Sequence, residues 1–180
     1  MYREVVVPKL REEFSIKNAN QVPTLSKALV NSGVGRFLEN QKLKPEIRDT
    51  VIDTLTTITG QKPIMVLAKR SVANFKVREG APSAFVVTLR GVRMWHFIDR
   101  LLNLAMPRIK DFRGMKDTSF DQLGNYSMGL TEQAVWPEIN MARVSFTHGM
   151  NINICFEQSN PEMSRFILRE LGMPFTRKED

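Results

Sequence analysis

The chain is poor in the side chains that most often carry catalysis, bind metals or form cross-links. Its 180 residues include a single cysteine, Cys155, and two histidines, His96 and His148. One cysteine cannot form an internal disulfide, which fits a reducing compartment, and its place in an alternating apolar pattern predicts a small core residue. The two histidines lie far apart, in no metal-ligand spacing. The composition therefore predicts no metal site, no cofactor and no catalytic centre.

Long apolar runs and phosphate-binding loops are also missing. No segment approaches the ~20 consecutive apolar residues that a membrane helix needs. The first residues include Glu4 and only a short apolar run, unlike a secretory signal, so we expect a cytoplasmic protein. Gly33-Val34-Gly35 lacks the third glycine and the directly following helix of a dinucleotide-binding loop. These absences argue against a membrane protein and against nucleotide-dependent enzymes.

What the chain does have is positive charge, concentrated in one stretch. Between Lys62 and Lys116 it carries twelve lysines and arginines but three acids, a net charge of +9, whereas the whole chain is only +7. The stretch also contains apolar segments, so its charges must lie on the exposed side of folded elements. Cations interleaved with amides, hydroxyls and a few rings suit a phosphate backbone with unpaired bases. Nucleic-acid binding is the favoured interpretation, and a solvated basic face that serves solubility is the alternative.

Hydrophobic periodicity predicts a mixture of helices and strands without strict βαβ regularity. It is clearest between Pro45 and Gly60, where apolar residues recur at helical spacing. Further helices are predicted up to about Phe14, across 94–105 and across 163–171, and strands at 25–30, 64–68, 84–89 and, as a strand pair or one bent strand, 142–156. Residues 108–141 lack a sustained pattern. We therefore predict a single α+β domain over residues 1–180, in two layers: a largely antiparallel sheet, related to RRM-like and ferredoxin-like folds, with helices packed on one face.

Ordered motifs along essentially the full chain carry a family resemblance. They are ITGQKP at 58–63, AKRSVANFKVREG at 68–80, VTLRG at 87–91, PRIKDFRG at 107–114, GNYSMG at 124–129 and GMPF at 172–175. Together they resemble the bacterial-type L5 family of large-subunit ribosomal proteins, which binds 5S rRNA. The chain departs from the family pattern at Val66, Ala84, Asn140 and His148. The last of these stands where the family resemblance would place arginine.

The resemblance implies a structural component of the central protuberance of a bacterial-type or organelle-type ribosome. It implies a monomer within the ribosome, in the cytoplasm, with no membrane contact, cofactor or catalytic role. The implied partners are 5S rRNA, the 23S-type rRNA of the large subunit, peptidyl-site (P-site) tRNA and a protein of the small-subunit head.

Three sets of residues are the expected contacts. For 5S rRNA they flank strand ends or lie on a wet strand face: Asn31, Gln61, Lys62, Lys69, Arg70, Thr88, Arg90 and Arg93. For P-site tRNA they belong to the polar segment 71–83: Ser71, Asn74, Phe75, Lys76 and Arg78. For the small-subunit head they belong to the long aperiodic region: Arg108, Lys110, Arg113 and Lys116.

The residues leave several alternatives open. Phe75 is either a core plug that closes its loop or a ring set against RNA. Residues 108–150 either contact a partner or wrap the domain's own core, with Phe112, Phe120 and Trp136 as internal anchors. An RNA-dependent processing or modification enzyme would use the same basic face, but would need a cofactor loop or a clustered acid and base. A peripheral membrane protein would carry its cations on an amphipathic helix, whereas here many lie in loops and strands.

Overall fold

The computed structural model describes residues 2–75, 77–144 and 146–176. The strands are β1 (Thr24–Gly33), β2 (Leu38–Glu39), β3 (Lys42–Leu43), β4 (Ile64–Leu67), β5 (Pro82–Leu89), β6 (Tyr126–Leu130) and β7 (Met150–Glu157). The α-helices are α1 (Val7–Glu13), α2 (Pro45–Thr59), α3 (Gly91–Arg100) and α4 (Pro161–Glu170). Five strands form one antiparallel sheet in the order β4-β5-β1-β7-β6, and β2 pairs with β3. The predicted α+β class is confirmed.

One face of the sheet is buried and the other is open, because apolar and polar residues alternate along the central strands. Phe85, Val87 and Leu89 of β5 are buried, whereas Val86 and Thr88 between them are partly exposed. The buried strand residues join residues of all four helices in one hydrophobic cluster. The helices therefore pack on one face and leave the opposite face, called the open face below, without a helical cover.

The helix predicted between Pro45 and Gly60 is confirmed as α2. The proline occupies the first turn, where its missing N–H group breaks no hydrogen bond. The glycine ends the helix in the left-handed conformation, at φ +68°, and its N–H group donates to the Thr56 carbonyl at 2.8 Å. Val51 and Leu55 are buried against the sheet side of the molecule.

The helix predicted across 94–105 is also confirmed, with its end at the expected proline. After α3 the chain continues through a π turn, Leu101–Ala105, and a single 3₁₀ turn, Met106–Arg108. Pro107 lies in that last turn, after which the backbone at Ile109 is extended.

The strand pair predicted for 142–156 is wrong. Among the described residues of this range, only those of β7, Met150–Glu157, lie in a strand, and Met141–Arg143 forms a 3₁₀ turn instead. The Asn140 side chain accepts from the Ala142 N–H group at 3.0 Å, and this local bond favours a turn over a strand. Just before β7 begins, the backbone at Gly149 runs close to β6, where a Cβ atom would lie 2.7 Å from the Leu130 carbonyl oxygen.

The region 108–141 contains a strand, β6, that the sequence analysis did not predict. Tyr126, Met128 and Leu130 are buried, and Ser127 and Gly129 between them are exposed. This alternation is a strand signal, but it spans only five residues and lies beside glycines that favour a loop.

Candidate RNA-binding surface

The open face extends across all five strands, and strand register shows which residues share it. One row across the sheet contains Ile64, Val86, Asn31, Asn151 and Gly129. The next row contains Thr88, Leu29, Asn153 and Ser127. The side near β4 is apolar, and the middle, over β1 and β7, is rich in amides.

Three asparagines form the centre of the open face. Asn31 lies directly opposite Asn151, and Asn153 follows two residues later on the same face of β7. The Oδ1 atom of Asn31 is buried and has no hydrogen-bond partner among the described residues. An unpaired buried amide oxygen costs about 1–3 kcal/mol, and an amide can pair with base edges. Asn31 was predicted; the other two were missed, although their alternation with Ile152 and Ile154 was the available signal.

Gln61 and Thr88 are linked at the rim where α2 ends. The Thr59 hydroxyl donates to the Leu55 carbonyl at 2.6 Å and accepts from the Gln61 N–H group at 3.3 Å. The Gln61 side chain then donates to the Thr88 carbonyl at 3.4 Å. The end of α2 is thereby tied to β5, and the exposed Lys62 follows directly at this rim.

Arg90 and Arg93 occupy the rim at the opposite end of β5. Arg90 follows the Leu89–Ala28 pair, so strand register places it on the row of Lys27 and Cys155 on the open face. Arg93 lies in the first turn of α3 and is exposed. A cation in the first turn of a helix opposes the helix dipole, so neither arginine serves the stability of α3. Both are available to an anion.

Cys155 was predicted to be a core residue, and this is wrong. Its side chain is half-buried and lies on the open face beside Lys27. Burial raises the pKa of the thiol, an effect that the positive charges of Lys27 and Arg90 oppose and Asp121 reinforces. The thiol is therefore protonated at neutral pH and is not an activated nucleophile. Lys27 was not among the predicted contacts, and its alternation along β1 was the signal for it.

β4 is the outer strand on this side of the sheet, and it is exposed on both faces. Ile64, Met65, Val66 and Leu67 are all exposed, Ile64 to 71% of its surface. Cations flank the strand at both ends: Lys62 before it, and Lys69 and Arg70 after it, all exposed. The sheet thus presents an apolar edge between two positively charged corners.

Residues 68–81 form an ordered extension of the β4–β5 hairpin, called the hairpin extension below. Ala68 and Ala81 close its base through an N–H to carbonyl bond of 2.8 Å, and Val72 and Val77 bond to each other in both directions at 2.9 and 3.2 Å. Near its base the Ser71 hydroxyl accepts from the Glu79 N–H group at 2.9 Å.

Phe75 lies at the tip of the hairpin extension, and the core-plug interpretation is wrong. Its ring is 77% exposed, and it belongs to a short 3₁₀ turn, Ala73–Phe75. Asn74, Ser71 and Arg78 are also exposed. Lys76, the remaining predicted tRNA contact, lies outside the described residues. The exposed ring of Phe75 and the exposed cation of Arg78 are accessible to a partner at the hairpin extension.

The four cations predicted to face the small-subunit head, Arg108, Lys110, Arg113 and Lys116, are all exposed on segment 108–116. Next to them, Phe120 packs against Tyr126 with ring centroids 4.7 Å apart, and Trp136 is fully buried. The Tyr126 hydroxyl donates to the Lys116 carbonyl at 3.0 Å, and burial raises the pKa of this tyrosine to about 12. Two of the three proposed anchors, Phe120 and Trp136, therefore pack inward, as the core-wrapping alternative predicts, and the cations are exposed and accessible to a partner.

The predicted contact cations share one electrostatic property. In residues 2–75, 77–144 and 146–176, none of them lies within salt-bridge distance of a carboxylate. Arg100 is the contrast within the same stretch: it binds the Glu138 carboxylate at 2.6 Å and the Ile58 carbonyl at 2.8 Å. The predicted contact cations without a carboxylate partner thus lie at the rim of the open face, on the hairpin extension and on segment 108–116.

The described residues offer no grouping that suggests metal binding. No cluster of three or more His, Cys, Asp or Glu residues there is arranged to hold a metal ion. None of the described helices combines the length and apolar composition that crossing a bilayer requires.

Comparison with known proteins identifies the family. A model described as "Ribosomal protein L5" matches residues 18–78, and a second model, for the C-terminal part of the same ribosomal protein family, matches residues 82–175. The chain belongs to the ribosomal protein L5 family. It is 46% identical to large ribosomal subunit protein uL5 of a Synechocystis species, covering 97% of this chain and 95% of that one. The same protein of Streptomyces coelicolor is 50% identical, covering 97% and 92%, and that of Corynebacterium diphtheriae is 47% identical, covering 99% and 93%.

Membership in the L5 family establishes the general role. The chain is a structural protein of the large ribosomal subunit, associated with rRNA, and not an enzyme. The alternative of an RNA-dependent processing enzyme is therefore set aside. Bacterial L5 proteins are components of ribosomes, which lie in the cytoplasm, and this agrees with the cytoplasmic location predicted from the sequence.

Proposed function

We propose that this L5 family member, acting as one RNA-binding domain over residues 1–180, binds 5S rRNA through its open face and rim. The observation that carries the proposal is the open face itself: a row of amides without a helical cover, flanked by cations that have no carboxylate partner in the described residues. One hydrophobic cluster runs through both segments that the family models match, which supports a single domain.

The division of labour on this surface follows from its chemistry. Cations at the rim, such as Lys62 and Arg90, contact phosphates and supply affinity without reading sequence. The amides of Asn31 and Gln61 and the Thr88 hydroxyl pair with base edges or ribose hydroxyls and supply selectivity. Neighbouring cations contact the 23S-type rRNA where the open face ends.

The test is binding of the purified full chain to 5S rRNA over a series of KCl concentrations. If about six phosphates are neutralised, the slope of log K against log salt is roughly −4 to −5. Asn31→Ala should reduce the preference for 5S rRNA over an unrelated hairpin RNA and leave the slope unchanged. A slope near zero, or equal affinity for both RNAs, would overturn the proposal.

The hairpin extension is proposed to contact P-site tRNA. Phe75 and Arg78 project from a backbone held by its own hydrogen bonds, so they can change without disturbing the open face. Lys76 is included on the basis of its sequence. Replacing Lys76 and Arg78 with alanine should spare 5S binding and lower tRNA occupancy of assembled ribosomes. Loss of 5S binding in that variant would show that the hairpin extension has been assigned to the wrong RNA partner.

Segment 108–116 is proposed to contact a protein of the small-subunit head. Its four cations are exposed, so each pair they form is worth only ~0–1 kcal/mol, and the contact should be weak, salt-sensitive and adaptable. Such a contact suits two subunits that move relative to each other.

A further inference from the structure

A cleft separates segment 109–116 from the outer edge of β6. Its volume is about 640 Å³, within the usual range of sites that hold a ligand. Residues 109–116 form one wall, and residues 126–131 form the other. Ile109, Met115 and Leu130 give it apolar surface, and Lys110, Arg113 and Lys116 bring positive charge to it.

The wall formed by β6 is a sheet edge whose pairing is incomplete. β6 is the last strand of the sheet, and the Ser127 N–H group points outward, donating to the Ser119 carbonyl at 3.1 Å. In an antiparallel pair, backbone groups that point outward recur at every second residue. The N–H and C=O groups of Gly129 therefore also point outward, and no other described segment pairs with them.

The opposite wall is held away from this edge by contacts elsewhere. Met115 bonds to the C-terminal segment, donating to the Pro174 carbonyl at 2.7 Å and accepting from the Thr176 N–H group at 2.9 Å. Gly114, at φ +104°, makes this possible, because a Cβ there would lie 2.7 Å from the Thr176 nitrogen. The segment is thus tied to residues 174–176, and the cleft remains between it and β6.

Charge selects the occupant of the cleft. Lys110, Arg113 and Lys116 line it and are exposed, and Asp111 is the one acid among the described lining residues. An exposed backbone edge favours an extended strand, because only a strand can satisfy its N–H and C=O groups in register. Alternating apolar and acidic side chains on that strand would meet the apolar walls and the cations together.

We propose that the outer edge of β6 accepts an extended acidic peptide segment of a neighbouring protein, added as a sixth strand. The inference rests on the proposed small-subunit contact only for the source of that segment. It adds a defined binding mode, with backbone pairing at Gly129 and charge pairing at Lys110 and Arg113.

The test uses the full chain and fluorescein-labelled hexapeptides in which valine alternates with glutamate. The matched probes replace every glutamate with lysine, or methylate alternate backbone nitrogens of the glutamate peptide. We expect the glutamate peptide to bind about tenfold or more tightly than either matched probe, since one loses the charge and the other the backbone bonds. Amide exchange at Gly129 should slow when the peptide is bound.

Protein variants separate this site from general basic charge. The double variant Lys110→Glu with Arg113→Glu should weaken peptide binding about tenfold or more, whereas Lys17→Glu with Arg169→Glu, two exposed cations outside the cleft, should not. Equal binding of all three peptides, equal loss in both variants, or displacement by a single-stranded oligouridylate would overturn the proposal. Subunit joining is measured separately. If the peptide binds but the cleft variant joins subunits normally, the strand-binding cleft stands and the small-subunit contact is rejected. If the cleft variant impairs subunit joining but the peptide does not bind, the proposed sixth strand is rejected.

Discussion

The Ser32 hydroxyl and Nδ1 of His148 lie 3.0 Å apart in the buried layer of the protein. The same hydroxyl lies 3.0 Å from the Gly149 carbonyl oxygen, and Nδ1 lies 3.3 Å from it; because a carbonyl oxygen only accepts, these contacts suit the tautomer that carries its hydrogen on Nδ1. The other ring nitrogen, Nε2, is then the unprotonated one, and it is buried without a partner among the described residues. Gln133 fixes the backbone of the histidine, accepting from its N–H group at 2.7 Å. His148 is thus built into the interior as a neutral ring.

This arrangement predicts a loss of stability in mild acid. Burial lowers the pKa of His148 from its ordinary value of 6.5; the hydrogen bond with the Gly149 carbonyl opposes this effect in part, and the charge of Arg36 adds to it. Below about pH 6.5, His148 is therefore protonated in the unfolded chain while it stays neutral in the folded chain. The contribution of His148 to the free energy of unfolding is fully present above pH 6.5. It is lost as the pH falls from 6.5 towards the lowered pKa of the folded state, by up to about 1.4 kcal/mol per pH unit. Urea unfolding at about pH 7.5 and about pH 5.5, on either side of the ordinary histidine pKa, measures the effect.

His96 supplies the matched control for this prediction, because its ring is exposed. In His148→Asn the amide can replace the Nδ1–H donor without a titrating group, so the extra loss of stability in mild acid should shrink. His96→Asn should leave the loss unchanged. An identical pH dependence in the wild type and in His148→Asn would contradict the prediction.

Arg90 and Arg100 should separate RNA binding from folding. Arg90 has no carboxylate partner in the described residues, so Arg90→Ala should leave the free energy of unfolding within about 0.5 kcal/mol and make the salt slope of 5S binding shallower by about 1. Arg100 holds the partly exposed Glu138 carboxylate and the carbonyl of the buried Ile58, so Arg100→Ala should cost about 1–2 kcal/mol of stability and leave the salt slope unchanged. The opposite pattern would mean that the charges have been assigned to the wrong roles.

Phe75 and Phe97 should behave oppositely when shortened. Phe75 is mostly exposed, so Phe75→Ala should change stability by less than about 0.5 kcal/mol and lower tRNA occupancy of ribosomes. Phe97 is fully buried and stacks on Trp136 at 5.3 Å, so Phe97→Ala should cost about 3–5 kcal/mol. Thermal unfolding of both variants is the measurement. A large loss of stability in Phe75→Ala would show that this ring packs in the core after all.

Gly114 and Gly80 test the contact between segment 109–116 and the chain end. Both have positive φ, +104° and +81°, but only at Gly114 would an added methyl group lie within 3 Å of other backbone atoms. Gly80→Ala should cost about 1–2 kcal/mol through backbone strain alone. Gly114→Ala should cost about 2–4 kcal/mol, because Thr176 must also move. If both variants lose the same free energy of unfolding, the contact between Gly114 and Thr176 does not contribute to stability.

Charge on segment 108–116 should affect the subunits and not 5S rRNA. Arg113→Glu with Lys116→Glu should weaken subunit association at moderate magnesium, because both side chains are exposed and free of carboxylates in the described part of the chain. Binding to 5S rRNA should persist, since the open face is untouched. Unchanged subunit joining would remove the small-subunit contact from the proposed function.

The elements that sequence predicted well are those with local signals. α2 carries a proline at its start, a glycine at its end and a helical apolar stripe between them. β6 is fixed by its pairing with β7 and by the close backbone approach of Gly149 to Leu130, and both are tertiary contacts. The turn at Met141–Arg143 had a local signal that was missed, the Asn140 side chain that accepts from the Ala142 N–H group. The same division holds for the site. Rim cations stand out in composition, whereas Asn151 and Asn153 become functional only once register places them beside Asn31.

The unpaired outer edge of β4 also affects how the free protein associates with other copies of itself. An outer strand with Ile64, Val66 and Leu67 exposed invites pairing with the same strand of another copy. Antiparallel pairing of two such edges would bring Lys62 of one copy against Lys69 and Arg70 of the other, and like charges directly opposite are destabilising. These three cations therefore disfavour self-pairing of the β4 edge. A polyanion bound to them would neutralise the charges and relieve that repulsion.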